Sequence, residues 1–232
     1  MKRKIFAAAI AVCVVAVMAC GSLAYYTAQS SATNRFMTAS YDPEDPPIDP
    51  QPSDEFSVTI TETPSEDGAN EFGGNDYKNV TPGDSFVKDP TITNTGKNPM
   101  YVRATVTFSN AEAWGDALGE GVDLMTAVVT GLNLDNGTTG EWQADENNPA
   151  EDTANDTLSY VFYLNHALAP EDTATLFTGV TIPTTLDNDD MVALNFFTIN
   201  VKVDAIQSAN TGDDAQTAFG TPWTEATATP AP

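Results

Sequence analysis

Apolar and polar residues alternate with a period of two in four stretches of the chain. The apolar positions are Phe56, Val58 and Ile60; Val102, Ala104, Val106 and Phe108; Leu158, Tyr160, Phe162 and Leu164; and Phe197, Ile199, Val201 and Val203. Because successive side chains of a strand point to opposite faces, this pattern is typical of antiparallel strands with one buried face. Apolar runs at residues 126–134 and 176–182 predict two more strands.

Turn-forming residues separate these strands. The sequence Thr-Pro-Gly-Asp at residues 81–84 places Pro and Gly where a type II turn requires them. Only residues 110–125 have apolar residues at helical spacing, and three glycines weaken this segment. Many short strands joined by turns predict an all-β fold, an antiparallel jelly-roll-like β-sandwich with one short helical segment, over residues 56–223.

Residues 1–24 have the pattern of a secretory signal peptide. Residues 2–4 are all basic, and residues 5–19 form an apolar run that is followed by small residues. This run is shorter than the roughly 20 residues with which a helix spans a bilayer, which favours a signal peptide over a membrane anchor. The chain is therefore expected to be exported.

The end of the signal peptide offers two alternative processing sites. Small residues at Ser22 and Ala24 predict cleavage between Ala24 and Tyr25. The alternative is a lipoprotein, because Cys20 follows Met18-Ala19 in a sequence that resembles a lipobox. Both routes lead out of the cytoplasm, and the sequence leaves the choice between them open.

Two segments precede the predicted domain and one follows it. Residues 25–40 form an N-terminal segment, and residues 41–55 contain five prolines and no basic residue, which is typical of an extended linker. Between residues 42 and 76 the chain has acidic residues but no basic one, so most of this region is expected to face water. Residues 224–232 are mainly Thr, Ala and Pro and are expected to be disordered.

The charge balance excludes several classes of partner and site. The 232 residues include 9 Lys and Arg against 33 Asp and Glu, a formal net charge of −24. Without residues 1–24, which contain three of the bases and no acid, the net charge is near −27. Such a surface repels phosphate backbones, so no nucleic-acid partner is predicted. Cys13 and Cys20 both lie in the signal peptide, which leaves the exported chain without a disulfide or a cysteine metal site.

Residues that could support catalysis are scarce. His166 is the only histidine, and neither a His-Glu-x-x-His motif nor a Gly-x-Ser-x-Gly motif is present, so we predict that the protein is not an enzyme. Calcium is the one cofactor for which the sequence offers candidate ligands, namely Asp187, Asp189 and Asp190. These carboxylates lack the spacing of an EF-hand loop, and a solvated turn is the competing interpretation.

Several segments together resemble one group of exported proteins. Residues 21–36 read GSLAYYTAQSSATNRF, and residues 81–96 read TPGDSFVKDPTITNTG. Shorter similar segments follow at residues 101–103, 163–165, 168–170, 176–183 and 203–207, and at Trp223. In combination they resemble the TasA/camelysin family of secreted proteins of Gram-positive bacteria, whose signal peptides are cut by a SipW-type signal peptidase. Tyr26 and Ala28 differ from the Phe and Asp that are more usual in that family.

The resemblance implies a jelly-roll β-sandwich that is held at the cell surface or in the biofilm matrix, with a SipW-type signal peptidase as a processing partner. It also implies fibres in which an N-terminal strand of one subunit adds to the sheet of the next. In this chain the donor strand would lie within residues 25–40, with Tyr25, Tyr26, Phe36 and Met37 as its apolar residues. The alternative, that this segment folds back onto its own sheet, stays open.

The predicted function is a secreted structural protein of a biofilm matrix or cell surface that binds itself and components of the matrix or cell wall. The alternative is a monomeric adhesin or ligand-binding sandwich that uses the loops at residues 135–156 or 184–191, where Trp142 is the one aromatic residue of the first loop. A third interpretation is a camelysin-like metalloprotease, against which the missing zinc motif argues.

Overall fold

The computed structural model describes most of the predicted domain and one segment before it: residues 27–37, 56–65, 70, 74–209, 211 and 213–220. Within the first of these ranges, side chains are described only for residues 29–32. Four predicted features lie outside the described residues: the cleavage site at Ala24 and Tyr25, the lipidation site at Cys20, the linker at residues 41–55 and the tail at residues 224–232.

The described residues form thirteen strands and four short helices. The strands are β1 (Thr27–Met37), β2 (Val58–Thr61), β3 (Asp76–Lys78), β4 (Ser85–Val87), β5 (Thr91–Asn94), β6 (Met100–Ser109), β7 (Val129–Thr130), β8 (Trp142–Ala144), β9 (Ala150–Asp152), β10 (Thr157–Leu164), β11 (Thr173–Thr175), β12 (Gly179–Thr181) and β13 (Phe196–Gln207). The helices are α1 (Ala111–Leu118), α2 (Leu124–Val128), α3 (Asn188–Leu194) and α4 (Ala215–Phe219). Within the described ranges, no helix is long and apolar enough to cross a bilayer.

The strands are arranged in three sheets. The largest has the order β3-β1-β13-β6-β10-β8, and β9 also pairs with β10. Two three-stranded sheets have the orders β11-β5-β2 and β4-β12-β7. The strand pairs are antiparallel except for β1 with β3, which is parallel. The prediction of an all-β, antiparallel sandwich is confirmed.

One hydrophobic core joins the inner faces of these sheets. On β6, the side chains of Val102, Ala104, Val106 and Phe108 are fully buried, and the polar residues between them lie on the opposite face, as the period of two predicts. β10 and β13 contribute apolar residues to the same core. Removal of these apolar faces from water is the main favourable term for folding.

The predicted helix at residues 110–125 is shorter in the structure. It forms α1 and ends at Leu118, after which Gly119 and Gly121 adopt φ values of +83° and +79°. Glycine reaches this left-handed region without the steric penalty of a Cβ atom. The two glycines therefore end the helix and turn the chain towards α2.

The predicted strand at residues 126–134 is wrong in its first part, which is helical. The Asp123 carboxylate accepts a hydrogen bond from the Thr126 N–H group at 2.9 Å and caps α2. Only the two residues of β7 follow as strand, and the run at residues 176–182 is a strand only within β12. Helices α3 and α4 have no counterpart in the sequence prediction, because each is at most seven residues long.

The predicted type II turn at residues 81–84 is present. Gly83 has a φ of +91°, and the Asp84 N–H group donates to the Thr81 carbonyl at 3.1 Å. Glycine at this position meets the positive φ that the turn requires. The turn leads directly into β4.

Candidate assembly site

The candidate donor segment lies inside the large sheet of its own chain. β1 pairs antiparallel with β13 over its whole length, from Thr27 opposite Ile206 to Met37 opposite Phe196. On its other edge it pairs with β3 only at residues 35–37. This is the arrangement that the fold-back alternative describes for a single copy of the chain.

β13 provides the site with which β1 pairs, and we call this site the seat of β1. One face of the seat is apolar. The inner face of β13 buries Phe197, Ile199, Val201, Val203 and Ala205 completely. The Phe197 ring also packs edge-on against Trp114 of α1, with ring centroids 5.0 Å apart. A strand placed beside β13 therefore extends both a hydrogen-bonded ladder and a hydrophobic core.

Among the described side chains of β1, that of Ala32 faces the core. Ala32 is fully buried, whereas its neighbour Ser31 is exposed. Because alternate residues of a strand face opposite sides, the position of Ala32 defines which side of β1 meets the core. A shift of one residue would exchange the two sides, so the burial of Ala32 specifies the register.

The structure places two of the four apolar residues predicted for the donor strand. Phe36 and Met37 are the last residues of β1, in the part that also pairs with β3. Tyr25 and Tyr26 lie outside the described residues. Their predicted part in strand addition stays a prediction.

A buried ion pair connects the segment after β2 to the segment after β4. Lys88 Nζ lies 2.8 Å from Glu62 Oε1, and the two side chains are 0% and 1% exposed. The Lys88 ammonium group also lies 5.8 Å from the centroid of the Phe177 ring. Burial lowers the pKa of Lys88, and the neighbouring Glu62 carboxylate opposes this shift.

The next residue on each segment adds a second connection. Asp89 accepts hydrogen bonds from the Thr63 N–H group at 2.7 Å and from the Thr63 hydroxyl group at 2.6 Å. Glu62 belongs to the acidic stretch at residues 42–76, most of which is expected to face water. Its side chain is buried instead, and the charge of Lys88 compensates this burial. The two connections hold the end of β2 in the sandwich.

The candidate calcium ligands lie at the start of α3. Asp187 Oδ1 accepts hydrogen bonds from the N–H groups of Asp189 at 2.8 Å and Asp190 at 3.0 Å, and Asp190 Oδ2 accepts one from the Asp187 N–H group at 2.9 Å. This reciprocal arrangement is a capping box, which satisfies the free N–H groups of a helix end. Within the part of the chain that the structure describes, no group of three or more His, Cys, Asp or Glu residues could hold a metal ion.

The capping role of Asp187 predicts a measurable loss of stability. Replacing it with alanine should lower the free energy of unfolding by about 1 kcal/mol, because α3 loses its N-cap. The loss should be the same with and without millimolar calcium, as measured by urea unfolding. Asp189→Ala is the matched control and should cost only a few tenths of a kcal/mol. Calcium that stabilised the wild-type chain but not the Asp187→Ala variant would support an ion site instead.

His166 and Trp142, the two other residues considered in the sequence analysis, have different surroundings. His166 is exposed, and its Nδ1 atom lies 2.9 Å from Asn165 Oδ1. Trp142 is completely buried, and its Nε1–H group donates to the Thr175 carbonyl at 3.1 Å. Trp142 therefore gives the adhesin alternative no exposed aromatic patch, because the indole ring belongs to the core.

Comparison with known proteins gives no match: no protein-family model, no curated protein and no solved structure matches this chain. The resemblance to the TasA/camelysin family rests on the sequence segments given above. Any functional conclusion therefore depends on those segments and on the geometry of the described residues.

Proposed function

We propose that this chain is a secreted structural protein of a biofilm matrix or cell surface, and that it assembles into fibres by adding its N-terminal strand to the sheet of a neighbouring copy. The single observation that carries the proposal is the seat of β1. This eleven-residue strand pairs along its whole length with β13, yet residues 38–55 separate it from the rest of the domain. A segment placed in this way can complete the sheet of its own chain or of another.

Strand exchange needs no new type of contact. The main-chain hydrogen bonds between β1 and β13 are the same whichever copy supplies the strand, and burial of Ala32 selects the same register in both cases. Exchange of an identical element between copies is a low-cost route to assembly, because the hydrogen bonds that open in one copy form again in the next.

Export and processing complete the proposal. A SipW-type signal peptidase would cleave between Ala24 and Tyr25, which leaves β1 close to the new N-terminus, where it can reach a neighbouring copy. The assembled protein would contact components of the matrix or cell wall. The proposed function involves no catalysis.

Assembly should increase as the pH falls. A net charge near −27 opposes association at pH 7, so protonation of carboxylates or screening by divalent cations should favour filaments. Hydrogen bonds from the N–H groups of Gly137 and Thr217 hold the pKa values of Asp135 and Asp214 below their usual range. Unperturbed Asp and Glu side chains have pKa values of about 4, so most of the negative charge persists at pH 5. We therefore expect most filaments near pH 4, where carboxylates with lowered pKa values keep most of their charge and the others lose much of it.

Negative-stain electron microscopy of the chain that begins at Tyr25 tests this proposal. We expect regular filaments that become more abundant from pH 7 to pH 5 to pH 4, and at pH 7 on addition of millimolar calcium. Sodium chloride at the same ionic strength is the control for simple screening. Uniform single particles under all these conditions would contradict fibre assembly and leave a monomeric surface protein.

A further inference from the structure

The outer face of the large sheet contains a polar groove of about 530 Å³, which we call the outer-sheet groove. Its floor consists mainly of short polar side chains, among them Thr105, Thr107, Ser159 and Asn200, and β9 lines one side. Ser159 is opposite Thr107, and Thr107 is opposite Asn200 in the strand register. The floor is therefore a continuous row of hydrogen-bonding groups across three strands.

A charged cluster lies at one end of the groove. Arg103 Nη2 donates to Asp204 Oδ2 at 2.8 Å, and Lys202 Nζ lies 3.3 Å from Asp204 Oδ1. Glu151 and Asp152 also line the groove, so its carboxylates outnumber its two cations. Because the whole chain is also strongly acidic, the groove disfavours an anionic ligand.

Two buried polar atoms of the groove have no hydrogen-bond partner, namely Arg103 Nε and Asn200 Oδ1. Asp204 Oδ1 also makes no hydrogen bond, but Lys202 Nζ lies 3.3 Å from it and compensates its charge. In the part of the chain that the structure describes, Trp114 Nε1 is the one other buried side-chain atom without a hydrogen bond. Buried polar atoms nearly always have partners in folded proteins, so the two atoms in this groove favour a ligand that supplies them. The ligand must accept a hydrogen bond from Arg103 and donate one to Asn200.

We infer that the outer-sheet groove binds a neutral polysaccharide. Sugar hydroxyl groups both donate and accept hydrogen bonds and carry no charge, which matches the floor and the unpartnered atoms. From Arg103 to Thr107 the groove extends about 13 Å along β6, at roughly 3.3 Å per residue, a length suited to a short stretch of a sugar chain. This inference rests on the proposed function, because it assigns a chemical class to the matrix component that the exported protein would contact.

Binding to insoluble polysaccharides tests the inference directly. The purified protein would be mixed at pH 7 with suspensions of cellulose, chitin or starch, and the bound fraction would be measured as a function of protein concentration. We expect saturable binding to at least one of these polymers that raised salt does not weaken. Soluble polygalacturonate, an anionic polysaccharide, should not compete. Absence of binding to all three polymers, or competition by polygalacturonate, would overturn the inference.

Paired variants locate the binding site. The double variant Thr107→Ala with Asn200→Ala should bind about tenfold more weakly, and Ser159→Tyr, which fills the groove, should bind at least as weakly. Thr59→Ala with Thr93→Ala is the matched control, because these residues are also cross-strand neighbours but lie in another sheet. Equal weakening by the control pair would overturn the inference, provided that circular dichroism shows every variant to be folded.

The two proposals can fail separately. Groove variants should form filaments as the wild-type chain does, since their substitutions change outer-face side chains and leave the main-chain hydrogen bonds between β1 and β13 in place. A chain that binds polysaccharide but never forms filaments would contradict only the fibre proposal. A chain that forms filaments but binds no polysaccharide would contradict only the groove inference.

Discussion

Replacing Lys88 with methionine should lower the free energy of unfolding by about 3–5 kcal/mol. The substitution leaves the Glu62 carboxylate, whose side chain is 1% exposed, without the ammonium group that compensates its burial. A small domain has only about 5–15 kcal/mol of stability, so this loss would remove a large part of it. Urea unfolding at pH 7, followed by tryptophan fluorescence, measures the difference.

Two further variants separate the ion pair from other effects. Lys97 is exposed, so Lys97→Met should change stability by no more than about 0.5 kcal/mol. The double variant Lys88→Met with Glu62→Met should recover most of the loss, since neither charge then remains in the core. A double variant as unstable as Lys88→Met would contradict this explanation.

Deleting residues 27–37 should abolish filaments and leave a domain that binds the missing strand as a separate peptide. The deletion exposes the edge of β13 and the margin of an apolar face that is fully buried when β1 is present. A peptide of residues 27–37 restores both the ladder and the core, as in other cases of strand addition. Fluorescence anisotropy of a labelled peptide measures the affinity.

Adjacent positions on β1 provide a matched pair of variants. Ala32→Lys places a charge in the core, so the variant peptide should bind about a hundredfold more weakly or worse. Ser31→Lys points to solvent and should change affinity by no more than about twofold. In the full-length chain, the first substitution should prevent filaments and the second should permit them. Equal behaviour of the two variants would contradict the proposed seat.

The long strands could be predicted from the sequence because their pattern is unambiguous. β6, β10 and β13 each have at least four apolar residues at a period of two, which no helix would place on one face. The short helices could not be predicted in the same way. Four of the five residues of α2 are apolar, a composition that suits either a helix or a strand, and the cap from Asp123 decides the outcome.

The structural roles of the acidic residues are harder to predict from the sequence than those of the apolar residues. Asp187 and Asp190 form a capping box, a pattern of two acids three residues apart that could have indicated the start of α3. Glu62 and Lys88 are separated by 26 positions, and no local pattern shows that both are buried. A buried charged residue of this kind can be recognised only from the tertiary structure, which shows its partner.

The N-terminal strand was predicted through family resemblance rather than through its own pattern. Residues 27–34 of β1 include no large apolar residue, so the segment lacks the alternation that marks the other long strands. Its position depends on β13, which supplies both the hydrogen-bonding edge and the apolar face. The sequence of β13, and not that of β1, therefore determines where β1 pairs.

The pairing of β1 with β13 has a consequence for the shape of any filament. Each contact would join unlike surfaces, a strand from one copy and a seat on the next, and repeated contacts of this kind generate open polymers unless they close into a ring. Such a filament has two different ends. At one end the seat on β13 is empty, and at the other end strand β1 has no neighbouring copy with which to pair. A free peptide of residues 27–37 can occupy only the first end, so trace amounts should stop growth there while the opposite end continues to elongate.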